Sequence, residues 1–260
     1  MIKPLVTFFL FFSCFSSFCR EKNITILFGP SVNSTYIKDY AVSTLPDQNT
    51  IFGFEQAIQI QSAKRIERFT LFYQTGKLYN HESTADPKFT KIAFDYFRIQ
   101  YLLHGKKNFA GVGINLQTIN SSAVRSEFSN NPTYNCFLTN LSPAFRAERR
   151  IINKKQRSVV FSLTNTISIL AYIIRPSIGT VSPISYSDKM AQNSGDYFSS
   201  GKFVSINKFQ LITSSAAIDF HLSRHFIFSI GYNWDFLHYR VDPVYYQINH
   251  QIFAHVGIKF

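Results

Sequence analysis

The sequence predicts an all-β fold: a closed antiparallel transmembrane β-barrel of about ten strands (range 8–12) behind an N-terminal export signal. Three observations carry the prediction. Period-two alternation, the signature of strands, recurs in stretches spread along the whole chain. The faces opposite the apolar residues are rich in Gly, Ser, Thr, Asn and Gln, with few charges at mid-strand. A water-soluble sandwich would expose Lys and Glu there. The connections also alternate between short and long.

The stretches follow in order. Residues 23–32 come first. In 52–61, Phe52, Phe54, Ile58 and Ile60 oppose Gly53, Glu55, Ala57, Gln59 and Gln61. Residues 67–78 and 89–103 follow, the latter with a phase slip near Tyr96 and Phe97 that suggests a bulge. Residues 110–117 set Ala110, Val112, Ile114 and Leu116 against Gly111, Gly113, Asn115 and Gln117. Next are 134–148 and 159–169, then 204–221 with a slip near Thr213–Ala216. The clearest is 226–236, with Phe226, Phe228, Ile230, Tyr232, Trp234 and Phe236 on one face. In the last, 248–260, Ile252, Ala254, Val256, Ile258 and Phe260 oppose Gln251, His255, Gly257 and Lys259.

Composition agrees. Of 260 residues 45% are hydrophobic and 17% aromatic, with 28 Phe and 14 Tyr against 1 Trp. That excludes a disordered chain. Outside the N-terminus the longest apolar run is Ile167–Ile174, too short for a membrane helix of ~20 residues. Strands in lipid must pair all their backbone groups, which demands closure. Short turns are expected at Ser62–Glu67, His104–Asn108, Arg149–Arg157 and Leu222–His225. Long loops are expected at Asn33–Thr50, Asn80–Lys88, Ile119–Thr133, Arg175–Phe203 and, more briefly, Val241–Tyr245. Tyr73, Tyr79, Tyr134, Tyr172, Trp234 and Tyr239 suggest one aromatic girdle, and Phe69, Phe109, Phe145, Phe161 and Phe226 the other. Tyr101 breaks the pattern.

Residues 1–19 read as a secretory signal: Lys3, an apolar run from Leu5 to Phe12, then small residues to Cys19 before the polar Arg20–Asn23. Cleavage is expected after Cys19, leaving 20–260 as the barrel. Cys136 is then the only cysteine, so neither an intramolecular disulfide nor a thiol metal site is expected.

The chain ends His-Val-Gly-Ile-Lys-Phe. A terminal Phe closing an alternating strand resembles the end of bacterial outer-membrane β-barrel proteins. The Phe-, Tyr-, Asn- and Ile-rich style looks like those of Bacteroidetes-type bacteria. The resemblance implies an outer-membrane location with both termini periplasmic, and Phe260 as the signal read by the barrel-assembly machinery. It also implies contact with outer-membrane lipid and lipopolysaccharide, and room for another envelope protein as partner.

No catalytic constellation emerges, and no cofactor is expected. His221-Leu222-Ser223 resembles the His-x-Ser of lipid A deacylases, and Asp219-Phe220-His221 the Asp-x-His of omptin proteases. Both lie by a turn expected to be periplasmic, the wrong end for that chemistry. Omptins also need outer-rim acids. The rim offers Asp39, Asp47, Glu82, Asp86, Glu127, Asp188, Asp196 and Asp242 without an adjacent pair. His250 and His255 have opposite parity, against a metal site with His238. The net charge is +12. Its basic cluster of Arg146, Arg149, Arg150, Lys154, Lys155 and Arg157 lacks interleaved stacking aromatics, so no nucleic acid is expected. By parity Glu55, Arg68, Asp95, Arg98, Arg146, Glu148, Asp219, Asp235 and Lys259 point inward. The first five with Glu148 and Asp235 are candidate lumen ion-pair residues, since charges in a narrow lumen must pair or be hydrated. The expectation is a non-enzymatic barrel with a structural, surface-binding or envelope-complex role. A narrow solute channel is the alternative, kept open by inward Gly53, Gly111, Gly113, Gly231 and Gly257. A barrel enzyme acting on lipid or peptide comes third.

Overall fold

The computed structural model describes residues 23–39, 47–79, 88–105, 107–124, 133–154, 157–174, 201–240 and 244–260. The signal segment, residues 40–46 and 80–87 and most of 175–203 lie outside these, as do the rim acids Glu82, Asp86, Glu127, Asp188, Asp196 and Asp242.

Twelve strand segments build ten staves of one antiparallel sheet: β1 (Asn23–Asp39), β2 (Asp47–Gln61), β3 (Arg65–Lys77), β4 (Lys88–His104), β5 (Asn108–Val124), β6 (Thr133–Lys154), β7 (Arg157–Ile167), β8 (Leu170–Ile174), β9 (Lys202–Ser205), β10 (Phe209–His221), β11 (Phe226–Tyr239) and β12 (Tyr245–Lys259). β7 and β8 form one stave and β9 and β10 another. Each stave pairs with its sequence neighbour, and β1 pairs with β12 from Thr25 opposite Lys259 to Asp39 opposite Tyr245. The ring is thereby closed and no edge is left free. The seam demands a glycine. A Cβ at Gly29 would lie 1.9 Å from the Ala254 carbonyl oxygen.

The alternation that predicts the strands also sets their faces. Odd residues of β1, β2, β4, β5, β11 and β12 point inward, and even residues of β3 and β6. Around the middle of the barrel the outer face exposes Phe28, Phe54, Leu71, Phe94, Ile114, Phe145, Ile230 and Val256. A continuous apolar belt on a closed barrel is a lipid-facing surface.

Several expected boundaries move. A membrane strand needs about 9–11 residues. β1, β4 and β5 have 17 each and β6 has 22. Much of the expected Asn33–Thr50 and Ile119–Thr133 loops is therefore strand, and the staves project past the belt at the end opposite the termini. There the polarity inverts. Outward residues turn polar (Ser34, Lys38, Gln48, Thr50, Lys77, Thr90, Asn120), while inward Ile37, Ile51, Leu78, Phe89, Leu138, Ile173, Phe209 and Tyr245 form a buried apolar cluster. This part is built like a small water-soluble barrel. Its reversed pattern hides it from a search for lipid-facing strands.

The bulge expected at Tyr96–Phe97 lies instead between Tyr101 and Leu103, leaving Leu102 and Leu103 both exposed. No slip occurs at Thr213–Ala216, where β10 keeps regular register with both neighbours. Its stave is interrupted at Ile206–Lys208, where Lys208 N–H bonds the Ser205 carbonyl. A further irregularity at Ser168–Ile169 shifts the inward parity from Thr166 to Ala171. Two expected girdle residues turn inward: Tyr239 is buried in the rim cluster, and Phe109 packs on a second inner cluster of Ile66, Phe97, Ile99, Tyr101 and Ala144 near the terminal end.

These faces predict unequal costs along one strand. Ile230→Arg places a charge in the lipid belt and is expected to cost ~2–4 kcal/mol. Asn233→Ser, on the inner face of the same strand, is expected to cost much less. Folding titrations of both variants check this, and the reverse order would invert the assignment of faces.

Candidate functional site

Between the two inner apolar clusters lies a polar layer, brought together because consecutive hairpins present the same inward parity at the same depth. Glu55 on β2 and Arg68 on β3 meet through Oε1 and Nη2 at 2.9 Å, and Arg68 Nε also donates to Thr70 Oγ1 at 3.2 Å. Gln251 Nε2 donates to the other Glu55 oxygen at 3.4 Å, and His255 Nε2 lies 3.7 Å from it. Across the barrel Arg146 Nε donates to Glu148 Oε1 at 2.6 Å, and the Tyr101 hydroxyl donates to the same oxygen at 2.8 Å. Arg146 Nη1 reaches Thr164 Oγ1 at 2.9 Å, and its guanidinium lies 5.8 Å from the Phe97 ring centroid. Asp95 accepts a hydrogen bond from Asn115 Nδ2. Asp219 accepts one from Ser229 Oγ at 2.6 Å.

Among the described residues, two cavities flank this layer. The larger, about 140 Å³, has Asn33, Lys91, Asp95, Thr213, Asp235 and Gln251 among its walls. The smaller, about 30 Å³, reaches toward the terminal end past Gln59, Ser162 and Asp219. Arg68 and Arg146 line both. The two guanidinium groups therefore form part of the partition between them, together with Ser215 and Phe253. The space beside two of the inward glycines is occupied: a Cβ at Gly231 would meet the Phe253 ring at 2.3 Å, and one at Gly257 would meet Leu27 Cδ2 at 2.6 Å.

The structure places Glu55, Arg68, Asp95, Arg146, Glu148 and Asp235 in the lumen. Arg98 is the exception. Without a bulge at Tyr96–Phe97, Asp95 and Phe97 share the inner face and Arg98 lies on the outer one. There its Nε is 3.8 Å from Glu67, which Arg65 also approaches at 3.3 Å. Lys91, a lumen residue beyond the seven expected, shares parity with Asp95 two positions of alternation away. Tyr101 breaks the girdle pattern because it serves Glu148 inside the barrel.

The other motifs stay apart. Asp219 and His221 lie among the last residues of β10, at the end that carries the termini. His255 is inside the barrel. His250 shares a 2.6 Å hydrogen bond with the Tyr232 hydroxyl, and His238 stacks on the Tyr246 ring, both on the outer face. Among the described residues no three His, Cys, Asp or Glu side chains are grouped to hold a metal. Arg146 of the basic cluster points inward, Arg149 is exposed, and Arg150 lies 5.8 Å from the Phe109 ring centroid. The side chains of Asp39, Lys154 and Lys155 lie outside the described residues.

Comparison with solved structures agrees on the fold. The outer membrane protease OmpT from Escherichia coli matches 93% of this chain and 96% of its own, at 10% identity and TM-score 0.50. The translocator domain of the autotransporter NalP from Neisseria meningitidis matches 92% of this chain and 88% of its own, at 10% identity and TM-score 0.40. Neisserial surface protein A matches 91% and 97%, at 8% identity and TM-score 0.39. At 10% identity the likeness to OmpT is one of fold. No protein-family model matches the chain, and no curated protein sequence does.

The partition makes a testable demand. Glu55 and Arg68 are both well buried, with side chains 7% and 16% exposed. Removing one partner leaves a buried charge uncompensated, at a cost of about 3–5 kcal/mol. Arg68→Met should therefore destabilise strongly, and adding Glu55→Gln should restore most of the loss. A double-mutant cycle by denaturant unfolding in detergent measures the coupling, and additive losses would deny the pair its role.

Proposed function

We propose that this chain is an integral outer-membrane barrel, with both termini periplasmic, acting as a closed, non-conducting and non-enzymatic scaffold that presents its long loops at the cell surface. The observation that carries the reading is the filled lumen. At the loop end Ile37, Leu78, Phe89, Leu138, Phe209 and Tyr245 meet inside the ring. Below them the Arg68–Glu55 and Arg146–Glu148 pairs bridge the polar layer. A ring of about eight strands is just filled by its side chains, and ten strands widen it only slightly. The placement of Asp219 and His221 at the end of β10 away from the loops speaks against a surface enzyme. A wall of this kind suits a surface-binding protein or an accessory subunit, because its rigidity fixes the loops that recognise a partner.

The orientation rests on the connections. Turns such as Ser62–Lys64 and Leu222–His225 lie at one end with the termini, and the longer connections leave from the other. That asymmetry is the one bacterial barrels show between periplasm and exterior.

Purified protein in a planar bilayer is expected to show little or no steady conductance. A large, stable open state would establish the channel reading instead.

Phe260 belongs to the same proposal, as the handle for the assembly machinery. Its N–H bonds the Ile24 carbonyl, and the residue is 70% exposed on the outer face. Burial of one such side chain is worth ~1.5–3 kcal/mol, a loss a closed barrel can survive. A cysteine at Lys77 should react with a surface label on intact cells, and one at Ser223 should not. Deleting Phe260 should abolish the Lys77 signal while detergent refolding stays largely normal. Reversed labelling would overturn the orientation, and an undiminished signal would remove the assembly role.

A further inference from the structure

We propose that the larger lumen cavity is a binding site for a small zwitterion, a molecule carrying one ammonium and one carboxylate, such as a free amino acid. The inference stands apart from the scaffold reading and holds whether or not the barrel conducts.

It starts from charges that the protein leaves unanswered. Most ionised groups of the polar layer have partners on the protein: Arg68 with Glu55, Arg146 with Glu148, Asp95 with Asn115. Two do not. Lys91 is 6% exposed and lines the cavity. Its Nζ lies over the face of the Phe72 ring, 5.7 Å from the centroid. Among the described residues no acceptor bonds its ammonium. Asp235 lines the same cavity, and no described residue donates to its carboxylate. The two act on each other only at longer range. In the ring of staves, β4 and β11 stand opposite each other, so the two unanswered charges face one another across the lumen.

A third atom sharpens the site. Asn233 lies two residues before Asp235, on the same face of β11. Its Nδ2 donates to Gln251 Oε1 at 3.0 Å, while its Oδ1 is buried without a partner. One wall thus presents a carboxylate and an amide oxygen, both acceptors. The facing wall presents an ammonium with three donors. Lys91 and the Asn233 oxygen are buried; buried polar groups are normally satisfied, and a buried charge without a partner is costly.

The chemistry of the ligand follows. A lone anion would satisfy Lys91 but confront Asp95 and Asp235. A lone cation would do the opposite. A small zwitterion answers both, its carboxylate on Lys91 and its ammonium on Asp235 and Asn233 Oδ1. The space is adequate: a water takes about 30 Å³ of liquid, so a cavity of about 140 Å³ accepts several waters or one solute of a few heavy atoms.

The test refolds the full barrel into detergent across a concentration series of glycine, so that entry is not limiting, and reads the thermal midpoint by circular dichroism. Glycolate, ethanolamine and glycerol serve as matched probes lacking the ammonium, the carboxylate or both charges. Glycine should raise the midpoint saturably, and the other three should not. Loss of one charged hydrogen-bond partner weakens binding by about tenfold or more, so Lys91→Met and Asp235→Asn should each shift the glycine response at least that far. Lys91→Met removes a buried unpaired charge and is expected to fold at least as well as the parent without glycine, which separates a binding role from a structural one. No saturable response to glycine, an equal response to any of the three analogues, or an unaltered response in both variants would overturn the proposal.

Discussion

The structure depends on one constraint: a backbone surrounded by lipid has no water to bond, so every N–H and C=O must find a partner within the sheet. The seam between β1 and β12 meets it. Residues far apart in the chain, such as Ile26 and Ile258, are brought side by side, and the last free edge disappears. Once the ring is closed, the pleat divides every stave into an outer and an inner face. Hydrophobic burial is then inverted over the belt, where the large apolar residues face outward because the solvent there is itself apolar.

That inversion ends where the lipid ends. Above the belt the same staves return to the ordinary arrangement, with Phe89 and Tyr245 inside and Lys38 and Lys77 outside. The change of solvent along the axis explains why one strand can carry two opposite patterns without changing its geometry. It also explains how a membrane barrel acquires a small apolar core at one mouth. Charge follows the same division. Among the carboxylates whose side chains are described, only Glu67 lies on the outer face, although the chain carries a net charge of +12. The interior is therefore the acidic part of a basic protein, and the guanidinium groups of Arg68 and Arg146 are needed there to hold those carboxylates in a low-dielectric space.

The polar layer lies between two apolar clusters. Hydrogen bonds and ion pairs in such a place are stronger than at a surface, and unmatched groups are correspondingly conspicuous. Lys91 and Asp235 are informative for this reason. The fold shared with OmpT positions the wall but not the chemistry, since a barrel wall hosts many functions and only its particular side chains decide among them.

The sequence by itself determined the class of the fold, the approximate number of staves and the inward direction of Glu55, Arg68, Arg146, Glu148 and Asp235. All of these are local properties: alternation needs only neighbouring residues, and a polar lumen against a lipid belt leaves a two-residue period. Which of these residues pair was not legible there, and the Glu55–Arg68 contact comes from the structure. What only the tertiary structure decided is everything that depends on residues meeting across the ring or on a change of solvent along it. Tyr101 finds Glu148 through the register of β4, β5 and β6, and Lys91 faces Asp235 from opposite staves. Arg98 was placed inside because an apparent phase slip at Tyr96–Phe97 imitated a bulge. The real one lies at Tyr101–Leu103, and a single residue of register sends a side chain to the other face. The projecting ends of the staves were read as loops because their apolar residues point inward, against the pattern of the belt. Local periodicity records that two faces differ, but which solvent each one meets is set only when the ring closes.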